Sequence, residues 1–356
     1  MTKRSNNYFL LNSGCIPVKG INRSLIIDLS RESFIFIPND LYFILEIFKD
    51  QKVSKIYQEF GNDNATVLDS YFELLESYEM IHYFPLKRDL NMFTPISTNF
   101  EYPSLISNIQ IELFQLDFFN LIKGNILNII ESFNVKALEI HYFEDNKNLQ
   151  YVLETFCNSR LTDINILTST NVISKIHSEE LLLCYPKLSK IVISDSELDS
   201  ISKINRGTLI TQKSSSDFKN ECGCISKYSR IVNRDFYLES ISSNNCLSKK
   251  LSIDKFGTIK NCLSMKSSYG NINNVNIKEI ITSNEFLKFP SIKKDNVLIC
   301  KDCEFRYLCL DCRVFLENKE DIFSKPLKCG YDPYNTTFID WKKDPIKINK
   351  FNEYKI

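Results

Sequence analysis

Nine of the twelve cysteines of this 356-residue chain fall between residues 222 and 329. That crowding constrains the fold more than any other feature. The stretch has few long apolar runs, so it needs cross-links or bound metal to supplement a small core. The compartment decides between the two. The opening MTKRSNNYFLLNSG offers only a four-residue apolar run, Tyr8–Leu11, too short for a secretory signal. No segment is long and apolar enough to span a bilayer. A cytoplasmic protein is therefore expected, with reduced thiols that read as metal ligands before they read as disulfides.

The spacing narrows the chemistry. Ten residues separate Cys246 from Gly257, and four separate Gly257 from Cys262. Cys300 and Cys303 form a CxxC pair. Cys309 follows after five residues, Cys312 after two more and Cys329 after a further sixteen. A CxxC turn aims two thiolates at one centre. Asp254–Gly257 reads as the turn of a hairpin between Lys250–Ile253 and Thr258–Asn261, which would bring Cys246 and Cys262 together across its base. Soft, thiolate-rich sites of this kind suit iron–sulfur clusters or zinc.

The rest of the chain divides into regions. Residues 1–84 read as a small α/β unit: a hairpin over 24–29 and 33–37, helices over 38–48, 53–60 and 65–77, and a return strand over 80–84. This is the pattern of a winged-helix module. Residues 85–104 contain Pro85, Pro95 and Pro103 and read as a linker. Residues 105–213 alternate strands (106–114, 135–141, 163–167, 190–193, 208–211) with helices (118–133, 149–157, 177–184). That rhythm predicts a parallel sheet with covering helices, an open or partial (β/α) barrel. Residues 214–335 hold the cysteines, and 336–356 form a lysine-rich tail read as peripheral. The fold class is thus α/β with a cysteine-rich C-terminal domain.

The run C246LSKKLSIDKFGTIKNC262, then C300KDCEFRYLCLDC312, then Cys329, resembles the SPASM domain, the auxiliary-cluster domain of many radical-SAM peptide-modifying enzymes. One departure is visible: the family has three residues, not two, at the position between Cys309 and Cys312. The resemblance implies two 4Fe–4S clusters. Cys300, Cys303, Cys309 and Cys329 would hold one; Cys246, Cys262 and Cys312 would hold the other, with Cys222 or Cys224 as the eighth ligand. Zinc is the alternative.

A radical-SAM enzyme also needs a CxxxCxxC loop, and residues 95–215 contain none. The middle region is therefore read as a degenerate relative of that barrel, and cleavage of S-adenosylmethionine is not expected. Cys157 and Cys184 are expected to be buried structural residues. A SPASM domain without the loop resembles the peptide maturase of grasp-with-spasm systems, on N261CLSMKSSYGNI272, C300KDCEFRYLCLDCR313 and K325PLKCGYDPY334. The resemblance implies a precursor peptide and an ATP-grasp ligase as partners, as maturase or accessory protein. Residues 1–84 resemble a PqqD-like element that binds leader peptides by adding a strand to Ser33–Ile37, with Leu68, Phe72 and Leu75 lining the groove.

Lys plus Arg and Asp plus Glu are both 44, giving no global attraction to phosphate or anionic lipid. Ala65–Ser77 carries Asp69, Glu73 and Glu76 rather than a basic face, so no nucleic-acid partner is expected, and no membrane. His82, His141 and His177 are read as surface or satisfied core residues. Of these, only His141 sits at a strand end where parallel sheets bind ligands.

Overall fold

The computed structural model describes residues 4–92, 94–99, 102–144, 146–213, 222–226 and 229–354. At the N-terminus β1 (Tyr8–Leu11), β2 (Cys15–Val18), β3 (Ser24–Asp28) and β4 (Ser33–Ile37) precede α1 (Asn39–Ile47), α2 (Val53–Phe60), α3 (Ala65–Ser77) and β5 (Ile81–Phe84). β1 pairs with β5, and β2–β3–β4 form a three-stranded antiparallel sheet with β4 at one edge. All of β3 is buried, because its two faces serve different cores. Ile26 packs with Leu41, Ile44, Leu68, Phe72 and Leu75 of the helices. Leu25 and Ile27 pack with Phe305, Leu308, Cys309 and Cys329 of the cysteine-rich region.

The alternating segment follows as β6 (Asn108–Leu113), α4 (Leu116–Phe133), β7 (Ala137–Tyr142), α5 (Leu149–Phe156), β8 (Asp163–Ser169), α6 (Lys175–Cys184), β9 (Leu188–Ser194), β10 (Ser200–Ile204) and β11 (Gly207–Thr211). Asn134 takes a left-handed conformation (φ 53°) that ends α4. Strands β6 and β7 alternate strictly. Ile109, Ile111, Leu138 and Ile140 turn to the helices, where α4 contributes Ile122, Ile126 and Ile130. The opposite positions, Gln110, Glu112, Glu139 and His141, give the sheet a polar face.

After α7 (Arg234–Ser242), the expected hairpin forms as β12 (Lys250–Ile253) and β13 (Ile259–Lys260). It does not stand apart from the sheet. β12 pairs in parallel with β6, producing one eight-stranded sheet in the order β10-β11-β9-β8-β7-β6-β12-β13. Among the described residues its edge strands β10 and β13 do not pair, so the sheet stays open. Beyond lie α8 (Ile277–Ile281), α9 (Asn284–Leu287), β14 (Tyr331–Asp332), β15 (Thr337–Phe338) and α10 (Pro345–Asn352). The tail is not peripheral: Phe351 and Tyr354 pack on Phe315, and Trp341 packs on Phe351. Among the described residues no helix is long and apolar enough to cross a membrane.

Candidate metal centre

All twelve cysteines are free thiols. The structure sorts nine of them into two groups of four and one outlier. Cys300, Cys303, Cys309 and Cys329 line a single small cavity. Cys222 hydrogen-bonds Cys262, and the charges of Cys246 and Cys312 bear on the same pair. Cys224 does not line that cavity, and its Sγ accepts a hydrogen bond from Trp341 Nε1 at 3.2 Å. Of the two candidates for an eighth member, Cys222 is the one bonded to a cysteine of the second group.

Local sequence explains this sorting. Gly223 has φ +76°, and a Cβ there would lie 2.8 Å from Cys312 Sγ. Only glycine lets Cys222 and Cys312 approach while the chain turns Cys224 away. The Asp254–Gly257 turn closes the β12–β13 hairpin with Gly257 at φ +78°, and Asp254 Oδ1 accepts from Phe256 and Thr258 N–H. The short link between Cys309 and Cys312 still delivers the two thiols to different groups. Asn245 holds it, donating to the Cys309 carbonyl and accepting from Asp311 N–H. Asn244, fully buried, donates to the Asp311 carboxylate.

Each group has a buried lysine. Lys294 Nζ donates to Cys309 Sγ at 2.6 Å and to the Leu310 carbonyl at 2.8 Å. Burial pushes Cys300 up to about 12 against the charge of Lys294. It pushes Cys246 up to about 12 against the charge of Lys250. The hydrogen bond between Cys222 and Cys262 lowers the Cys262 thiol and raises Cys222. Among the described residues no set of three or more His, Cys, Asp or Glu is placed to hold a single metal ion.

The second group opens on a cavity of about 510 Å³ beneath the polar sheet face, lined by Gln110, Glu139, Asn165, Glu239, Cys246 and Lys250, among others. His141 Nε2 lies 2.9 Å from Glu139 Oε1, and Gln110 donates to the same oxygen at 2.6 Å. Burial alone would raise Glu139, but the bonds from His141 and Gln110 and the charge of Lys250 outweigh it and hold the carboxyl down at about 2. Burial raises Glu239 to about 7 despite a hydrogen bond from Ser248 and the charge of Lys249. Of this network the sequence had marked only His141, by its place at a strand end; the rest was signalled by polar residues recurring on one face of apolar strands.

The N-terminal sheet is stitched to the first group. Buried Glu304 binds Arg23 at 2.9 Å and Tyr331 at 2.6 Å, and Ile21 N–H donates to the Asp302 carbonyl. Phe34 and Phe36 of β4 meet Phe305 edge to face.

Residues 245–304 match the family model of SPASM, an iron–sulfur cluster-binding domain. The match implies iron–sulfur binding by this region and covers four of the eight grouped cysteines, Cys246, Cys262, Cys300 and Cys303. No curated protein matches the chain. Among solved structures, SuiB of Streptococcus suis bound to S-adenosylmethionine is similar at 10% identity and a TM-score of 0.31, covering 89% of this chain and 98% of that one. SuiB bound to precursor peptide SuiA is similar at 10% identity and a TM-score of 0.28, covering 86% and 96%. At such TM-scores the correspondence carries no argument about this chain.

Three expectations need correction. Cys157 and Cys184 are exposed, not buried. Val152, Leu153 and Phe156 already fill the inner face of α5, and Leu181 and Leu182 that of α6. Leu68, Phe72 and Leu75 do not line a groove beside β4; they are 2%, 2% and 0% exposed, consumed by the N-terminal core.

Proposed function

We propose that this chain is an iron–sulfur peptide-maturation protein of the grasp-with-spasm kind, working in the reducing cytoplasm beside an ATP-grasp ligase. The carrying observation is the division of eight cysteines into two groups of four, around a segment that matches an iron–sulfur domain. Cys300, Cys303, Cys309 and Cys329 would hold one 4Fe–4S cluster, and Cys222, Cys246, Cys262 and Cys312 the other. Thiolates, buried lysines and exclusion of water suit such clusters. Bound there, they supply one-electron chemistry or a rigid scaffold.

The N-terminal unit, a winged-helix element of PqqD-like type on this reading, presents the free edge of β4 to a precursor leader. An extended peptide added there gains backbone hydrogen bonds. Phe34 and Phe36 would hold that strand beside the first cysteine group. Specificity then comes from the β4 surface rather than from α3.

Anaerobic purification of the full chain with iron, sulfide and zinc analysis tests the reading. A brown protein with iron and acid-labile sulfide supports it; a colourless protein with stoichiometric zinc overturns it. Incubation with S-adenosylmethionine and reductant is expected to yield no 5′-deoxyadenosine.

A further inference from the structure

The two cysteine groups differ in how their buried lysines are used. Lys294 is 3% exposed and places its ammonium directly on a sulfur, 2.6 Å from Cys309 Sγ. Lys250 faces Cys246 and Cys262, but it also faces the ionised Glu139. A charge shared with a carboxylate offsets less of any negative charge on the sulfurs. The other cations do not reverse this contrast. Around the first cavity, Arg306 is committed to Asp295 and Lys325 to the Tyr331 carbonyl, while Arg230 lies over the Phe305 ring. Near the second group, Lys328 Nζ donates to the Cys222 carbonyl and lies over the Phe315 ring. Asp311 acts on both groups and on Lys294 itself but is paired with Arg313, and buried Glu304 acts on Cys303 but is paired with Arg23.

We propose that Lys294 is a positioning residue that sets the reduction potential of the first site, making it the easier of the two to reduce. The proposal rests on the iron–sulfur reading. Adding an electron to a thiolate-ligated cluster adds negative charge to a low-dielectric interior. A fixed ammonium on a ligand sulfur stabilises that added charge, both by its field and by its N–H···S bond. The second site, of which Cys246 lines the 510 Å³ cavity, has a cation whose field is partly cancelled by Glu139. It is therefore the harder one to reduce.

The test is a poised redox titration of the reconstituted full chain, followed by visible absorption and electron paramagnetic resonance, after iron and sulfide have been counted. Two separate reductive steps are expected. Lys294→Met should lower the upper step and leave the lower one in place. Lys294→Gln keeps an N–H donor without the charge and should lower the same step by less. Lys250→Met should move only the lower step. The gap between the steps should survive high salt, because buried charges are poorly screened. That salt test needs only the unaltered protein, so the proposal stays exposed if a variant fails to load. An upper step that does not move in a fully loaded Lys294→Met or Lys294→Gln protein overturns the proposal, as does a gap that closes with salt. A chain that takes up no iron overturns the iron–sulfur reading itself, and this inference with it.

Discussion

The central sheet and the cysteine-rich region of this chain solve stability in opposite ways. The sheet buries one continuous apolar cluster running from Ile106 to Phe286, with α4, α5 and α6 laid over strands of matched alternation. The cysteine-rich region has only short elements: three small clusters each pack one grouped cysteine with two other buried residues, and the larger one holding Cys309 and Cys329 borrows Leu25 and Ile27 from the N-terminal sheet. One region is held by buried area and the other by buried polar bonds and thiols. The sheet should therefore tolerate losing a contact, and the cysteine-rich region should not tolerate losing a ligand.

The widest separation between the two regions should come from Cys303→Ala and Cys309→Ala. Each is expected to lose metal and solubility together, since metal binding is folding free energy where a core is small. Normal metal content in a soluble variant would break the comparison. Leu138→Ala, in the middle of the sheet, should cost about 2–5 kcal/mol while iron content stays normal. Denaturant melts paired with iron analysis read both quantities.

Glu239 sharpens the boundary between the regions, since it lies on α7 beside the cavity. Its folded value, raised to about 7 by burial, exceeds that of an unfolded glutamate. The folded chain therefore holds the extra proton between about pH 4.5 and 7, and stability falls as pH rises through that window. Glu239→Gln should remove this fall, leaving the variant the more stable by roughly 1–3 kcal/mol at pH 8 relative to pH 5. Melts at the two pH values that show no difference would put Glu239 in contact with water. The smallest effect is expected from Cys157→Ala and Cys184→Ala: within about 0.5 kcal/mol and no change in metal, as befits exposed positions.

Much of the sheet was legible because alternation and helical spacing are local properties. β8, β9 and α4–α6 lie within a few residues of their expected bounds, and α2 and α3 coincide with theirs. β2 and β10 escaped notice, being four and five residues long with no apolar alternation to mark them. The parallel pairing of β12 with β6 was invisible for a different reason: it joins residues 142 positions apart, and no local pattern reports a partner. The same holds at the metal centre. CxxC spacing pointed to Cys300 and Cys303, but the residue that engages Cys224 is Trp341, more than a hundred residues downstream. Exposure of Cys157 was misjudged because helical spacing shows which residues share a face, not how wide the buried face is.

The two-residue link between Cys309 and Cys312 has a consequence for assembly. A trans chain extends no more than about 3.6 Å per residue, so once Cys309 is anchored, Cys312 can wander only about 11 Å from it. Asn244 and Asn245 restrict it further. On the iron–sulfur reading, filling the first site presents a ligand of the second at high effective concentration. Partly loaded protein should then be scarce, and a population short of iron should divide into molecules with both sites filled and molecules with neither.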